Sequence, residues 1–251
     1  MATWRSVCMP REHGVWGLLA GAALVGLPLG DHLAGLPLLF AAIGLVCARQ
    51  AWSAQAGWRS YAVMFAGVLC AIGCIVMAWH HAAGSGWMMW LGCAAVLAAL
   101  GLSTQRGRPW WSSALSAAAF AALGGAVAAA GGAPIAWTMV GSAVLAAHFA
   151  ASVPLVRAQI RPDIRWPLLA IDLHVAFAAS AVGCWAVGLV PSGVPLVFAF
   201  GVARAAWITD KRTTMYAGHA TPSPAAIGMR EMAWLPVVAA GVVLGLRGGV
   251  W

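Results

Sequence analysis

The sequence predicts an all-α, polytopic transmembrane helix bundle of about nine spans, forming a single domain over residues 1–251. Three observations carry that expectation. Hydrophobic residues make up 63% of the chain and charged residues only 8%, with a mean hydropathy of +0.87, whereas soluble domains carry roughly a quarter charged residues. Apolar runs recur at the length a bilayer demands, roughly 20 residues each. Thirteen of the fourteen Lys and Arg residues fall in every second gap between those runs, as they do when loops alternate between two faces of a membrane.

Turn signals divide the chain into spans near 14–30, 33–51, 61–80, 87–103, 112–130, 134–153, 167–189, 191–208 and 230–246. Eight spans is the rival count, because the short turns at Gly30-Asp31-His32 and Val190-Pro191-Ser192-Gly193 also read as kinks within longer runs. Span one follows Arg5 and Arg11 and lacks a cleavable signal pattern, so it is expected to remain in the chain. Arg49 and Arg59 follow span two, Arg106 and Arg108 span four, and Arg157, Arg161 and Arg165 span six. Arg204, Lys211, Arg212 and Arg230 surround the gap after span eight. The intervening gaps hold no Lys or Arg, which places the N-terminus in the cytoplasm and the C-terminus outside. The pairs Gly17/Gly21, Gly26/Gly30 and Gly241/Gly245 permit close helix approach. Many of the fifteen Trp residues cluster near span ends as interfacial anchors.

A net charge of +8 in a soluble protein would suggest nucleic acid, but here topogenesis and anionic headgroups account for it, and no nucleic-acid partner is expected. The six Cys residues lie mostly inside apolar runs without ligand spacing, so they read as small core hydrophobes, and neither a disulfide framework nor a metal site follows.

The cytoplasmic side carries polar residues that positive-inside bias does not require. Arg11, Glu12 and His13 stand together where span one enters the membrane. They read either as a helix start, with Glu12 at the positive helix end and Arg11 snorkelling, or as a functional site. Arg157 and Arg161 lie one helical turn apart and could fork onto a phosphate or carboxylate, or simply form a positive-inside loop. His148 near the end of span six and Asp172 and His174 near the start of span seven share a depth of roughly 7–10 Å. Asp172 and His174 point about 200° apart, so at most one faces the cavity that His148 faces. A carboxylate's need for a cation favours Asp172. Arg204, Trp207 and Lys211 recur at helical spacing, and the gap of about twenty residues behind them suggests a linker or lid. Glu231 is expected to pair with Arg230 or Arg204.

Three segments carry a family resemblance. The opening PREHGVWGLL marks Pro10, Arg11, Glu12, His13, Gly14 and Trp16; VRAQIR marks Val156, Arg157, Ala158, Ile160 and Arg161; IGMREMAW marks Ile227, Gly228 and Glu231. Together they resemble the YwiC-like family of bacterial integral membrane proteins, which implies a multi-pass protein of the bacterial inner membrane. The helix count and the polar clusters after spans two, four, six and eight also look like the UbiA prenyltransferase architecture. That resemblance implies a nine-helix bundle with a cytoplasm-facing cavity and Asp-rich motifs after spans two and six for magnesium and a prenyl diphosphate. This chain departs from it, with Arg49-Gln50-Ala51-Trp52-Ser53 and Arg157-Ala158-Gln159-Ile160-Arg161 at those places. Without clustered carboxylates an oxygen cage for Mg²⁺ does not form there, whereas arginines can clamp an anion directly.

The expected function is therefore binding of an amphipathic anion, a phosphorylated lipid or cofactor precursor, in a cytoplasm-facing pocket, extending to a metal-independent UbiA-like transferase. Arg157, Arg161, Arg204 and Lys211 are expected to bind the anion, with Arg11, Arg49, His148 and Glu231 completing the site. Glu12, His13 and Asp172 are expected to handle a proton. The expected partners are the bilayer and an anionic lipid or small amphiphile, and the residues identify no cofactor. Two rivals stand beside this: a proton-coupled transporter using His148, Asp172 and Glu12, and a haem-binding or respiratory-complex assembly protein with His13, His148 or His174 as axial ligands. The gaps on the outer face offer little polar lining for transport, and no CxxCH attachment signature occurs.

Overall fold

An apolar run in a bilayer has no water to bond, so it must satisfy its N–H and C=O groups internally, as a helix does. The computed structural model describes residues 13–54, 58–81, 92, 94–96, 98, 110–160, 163–215 and 223–248. Among the described residues eight long helices follow in order: α1 His13–Leu29, α2 His32–Ala54, α3 Trp58–His81, α4 Trp110–Ala130, α5 Ile135–Ile160, α6 Arg165–Ala186, α7 Gly193–Met215 and α8 Pro224–Arg247. No strand occurs among the described residues. Seven of these helices, α2 to α8, are long and apolar enough to cross a membrane, and α1 contributes a shorter apolar run, Val15–Leu29. The architecture is a multi-pass helical bundle. The expected span 87–103 lies outside the described residues except for 92, 94–96 and 98, which are helical.

Hydroxyl groups inside these helices bond back to the preceding turn, Ser116 to Ser112 O at 2.8 Å, Ser180 to Ala176 O at 2.8 Å and Thr209 to Ala205 O at 2.8 Å. That habit keeps small polar residues compatible with an apolar environment. Both doubtful boundaries prove to be turns. Asp31 caps α2, its Oδ1 accepting from Leu33 N at 2.9 Å, while its own N–H donates to Gly131 O at 2.7 Å. After α6, Gly188 takes a positive φ of 72° and Leu189 N reaches back to Cys184 O at 2.8 Å, a helix-ending pattern that glycine accommodates.

Helix ends differ more than helix positions. α5 continues to Ile160, seven residues beyond the expected 153, and carries Arg157 within the helix. α7 runs on to Met215 and α8 begins at Pro224, capped by Ser223 Oγ, which accepts from Ala226 N at 3.2 Å. The expected gap of about twenty residues is thus mostly helix. Hydropathy falls where the chain meets polar surroundings, but the helical hydrogen bonds continue past that point.

Packing sets α1, α4, α5, α6, α7 and α8 in a ring, each touching the next and α8 closing onto α1, with α5 also reaching α1, α7 and α8. The α2–α3 hairpin lies outside the ring, with α2 against α1 and α4. The core contains Val25, Leu38, Leu123, Leu145, Val242 and Leu246. Gly26 and Gly30 bring α1 onto the backbone of α4, where a Cβ on Gly26 would meet Gly124 O at 2.5 Å and one on Gly30 would meet Ala128 O at 2.6 Å. Gly241 and Gly245 receive the start of α7 at Gly193 and Pro191. Gly17 and Gly21 act differently, as hollows for the side chains of Met232 and Phe149.

The bundle has two unlike ends. The α1–α2 and α4–α5 turns meet at one, through Asp31 and Gly131. At the other, Arg157 late in α5 meets Ser113 early in α4 and Trp166 early in α6, while Arg204 midway along α7 meets Glu231 in the first third of α8. Arg49, Asp163, Arg165, Asp210, Lys211 and Arg230 lie towards this second end by their helix positions.

Candidate functional site

Four helices deliver polar side chains to one seam in the charged half of the ring: His148 from α5, His174 from α6, Arg204 from α7 and Glu231 from α8. His174 is 0% exposed and sits nine residues into α6, about 14 Å along the helix by its rise. Its Nδ1 lies 2.7 Å from Ala170 O, so Nδ1–H donates and Nε2 is the acceptor. Nε2 has no hydrogen-bond partner among the described residues. The ring presses on Gly201 of α7, where a Cβ would fall 2.5 Å from Cδ2, so glycine is needed there. His148, 5% exposed, lies beside Phe149 and within electrostatic range of both Arg204 and His174.

Arg204 is 4% exposed and forms an ion pair with Glu231. Its guanidinium lies 5.4 Å from the centre of the Trp234 ring, a cation–π contact along α8. Nε and Nη1 nevertheless meet no acceptor among the described residues. A buried guanidinium is tolerated only with a counter-ion and satisfied donors, and here the first condition is met and the second is not.

These groups open onto a cleft of about 420 Å³ between α5, α7 and α8, lined by Gln159, Arg204, Trp207, Ile208, Arg230, Glu231, Ala233, Trp234 and Val237. The spacing explains the lining. Residues 204, 207 and 208 share one face of α7, and 230, 233, 234 and 237 share one face of α8. Trp207, Ile208, Ala233, Trp234 and Val237 make an apolar wall, and Arg230, exposed, stands near the start of α8.

Of the residues expected to form a site, His148, Arg204 and Glu231 come together, and Glu231 takes Arg204 rather than Arg230. Asp172 does not join them. It is exposed on the outward face of α6, and His174, two positions on, faces inward instead. The preference for Asp172 is therefore corrected: rotation about α6 turns His174, not Asp172, into the ring. Arg157 is half-buried and braces neighbouring helices, its Nη2 3.4 Å from Ser113 Oγ and its guanidinium 5.0 Å from the Trp166 ring centre. Gln159, not Arg157, lines the cleft from α5. Arg49 is half-buried on α2, which packs against α1, α3 and α4 away from the cleft. Arg11, Glu12 and Arg161 lie outside the described residues, as do the side chains of His13, which opens α1, and Lys211, within α7.

Sequence reasoning missed Gln159, Trp234 and Gly201 and undervalued His174 and Arg230. The signal for His174 was present in the small and kinked residues Pro167, Ala170 and Ala181, which share its buried stripe on α6 at spacings of three, four and seven. Among the described residues, no group of three or more His, Cys, Asp or Glu stands together as metal ligands. No family model, curated protein or solved structure matches the chain.

The chemistry available is recognition. Arg204 and Arg230 can donate to an oxyanion, the apolar wall can hold a hydrocarbon body, and His174 Nε2 can accept a hydrogen bond in the core beyond.

Proposed function

We propose that this chain is a multi-pass protein of the bacterial inner membrane that binds an amphipathic anion, a phosphorylated lipid or cofactor precursor, in the cleft between α5, α7 and α8. The anionic head lies against Arg204 and Arg230, and the apolar body lies along Trp207, Ile208 and Trp234. The observation that carries this is Arg204, a residue lining a largely apolar cleft, whose buried Nε and Nη1 find no acceptor among the described residues. The charged end of the bundle faces the cytoplasm by the positive-inside rule. His81 and Trp110, which bracket the expected span 87–103, stand at opposite ends of the bundle. In this reading the bundle has a UbiA-like arrangement and the opening motif marks a YwiC-like protein, with arginine serving in place of aspartate and magnesium.

The transport reading used Asp172 in its proton path, and the outward position of that residue on α6 lends it no support. The test is recovery of the ligand. Native mass spectrometry of protein purified in mild detergent is expected to show a co-purifying anionic amphiphile that Arg230→Gln and Arg204→Gln deplete. Equal occupancy in the wild type and both variants would overturn the assignment.

A further inference from the structure

Arg204 and Glu231 are unequal partners. The Arg204 side chain is 2% exposed and the Glu231 side chain 17%, so the glutamate is the less enclosed of the two. Glu231 engages Nη2, and Nε and Nη1 of this cleft-lining arginine meet no acceptor among the described residues. The guanidinium also lies 5.4 Å from the centre of the Trp234 ring, a cation–π contact separate from the carboxylate. Among the described residues, the charged and titratable groups facing the pair are His148 from α5, His174 from α6 and Arg230 from α8 itself.

We propose that Glu231 is an exchangeable counter-ion. It holds Arg204 while the cleft is empty, and the phosphate of an incoming phosphorylated amphiphile takes its place on Arg204 as Glu231 turns towards solvent. This rests on the reading of the cleft as an anion site. Charge matching selects the head group. With Glu231 turned away, Arg204 and Arg230 present two positive charges, and a phosphate monoester carries about −1.5 to −2 at neutral pH. Its three acceptor oxygens can engage Nε and Nη1 as well as Nη2, whereas a carboxylate head supplies one charge and two oxygens. Exchange also builds in discrimination. A weakly charged amphiphile cannot compete with the resident carboxylate, so the empty site, with only the Arg230 charge uncompensated, stays closed to it.

The experiment titrates dodecyl phosphate into the full-length protein in dodecyl maltoside by calorimetry, with dodecanoate and inorganic phosphate in parallel. Dodecyl phosphate is expected to bind more tightly than either. Glu231→Gln removes the competing charge and is expected to bind it about tenfold tighter, near the low end of usual coupling between linked interactions. Glu231→Asp, whose shorter arm reaches Arg204 poorly, is expected to fall between the two and serves if the Gln variant does not fold. Arg204→Gln is expected to lose the binding. Wild-type binding with no gain in either Glu231 variant overturns exchange and leaves the cleft reading standing. Absence of wild-type binding to every probe overturns both, and inorganic phosphate binding as tightly as dodecyl phosphate overturns the amphiphile as its source.

Discussion

Alanine at Gly201 probes the packing that holds the buried histidine in place. A Cβ there would lie 2.5 Å from His174 Cδ2 and 3.2 Å from Nε2. The ring has little freedom to yield, because Nδ1–H is bonded to Ala170 O at 2.7 Å and the residue is wholly buried. Either α6 and α7 separate, an overpacking cost of about 1–3 kcal/mol, or the ring swings and abandons a buried hydrogen bond at about 1–3 kcal/mol. The higher helix propensity of alanine returns up to about 1 kcal/mol. Gly201→Ala is therefore expected to destabilise the bundle by about 1–2 kcal/mol. Gly73→Ala, with nothing within 4 Å of the new Cβ, is the control and is expected to be neutral or slightly stabilising. Adding His174→Ala removes the ring, so the double variant should fall short of the summed single effects by about 1 kcal/mol. Equilibrium unfolding in mixed dodecyl maltoside and SDS micelles, followed by circular dichroism, measures all four. A Gly201→Ala variant as stable as Gly73→Ala, or strict additivity with His174→Ala, would refute the packing argument.

Other consequences follow from the same contacts. Glu231→Leu leaves the Arg204 charge buried without its counter-ion and is expected to cost about 3–5 kcal/mol in the same unfolding assay, while Arg204→Met with Glu231→Leu recovers most of it. A double variant as unstable as the single one contradicts this. Trp166→Leu removes the ring under Arg157 and is expected to cost about 0.5–1 kcal/mol beyond lost burial, an excess that disappears in an Arg157→Gln background. In a cysteine-free background, Asp31→Cys and Asp163→Cys are expected to react with impermeant maleimide from opposite sides of oriented vesicles, Asp31→Cys from the periplasmic side. Labelling of both from one side contradicts the two-ended bundle.

The positions of the helices are readable in the sequence because a bilayer imposes one rule on every span, and Ala-, Leu- and Gly-rich runs between polar turns obey it. The ends of α5, α7 and α8 are not, since Arg157 and Asp210 mark where polar surroundings begin while the helical bonds continue beyond them. The glycine pairs show the same limit. Gly26 and Gly30 meet a backbone and Gly17 and Gly21 meet side chains, and composition does not distinguish a helix crossing from a socket. In the site, the Arg204–Glu231 pairing was foreseeable from charge, and His148 from depth. Asp172 was favoured because a carboxylate was assumed to lie inside the ring, but α6 is largely exposed and its narrow buried stripe runs through Ala170 and His174. Gln159 escaped notice because it lies about 200° around α5 from Arg157, and charge drew attention to the wrong face.

The most direct test of the anion site is a high-resolution density map of the protein loaded with dodecyl phosphate in a lipid nanodisc. The expected result is head-group density within hydrogen-bonding distance of Arg204 Nε or Nη1 and of Arg230, with the alkyl chain along Trp207 and Trp234. An empty cleft in fully loaded protein, or head-group density on Arg157 instead, would contradict the account.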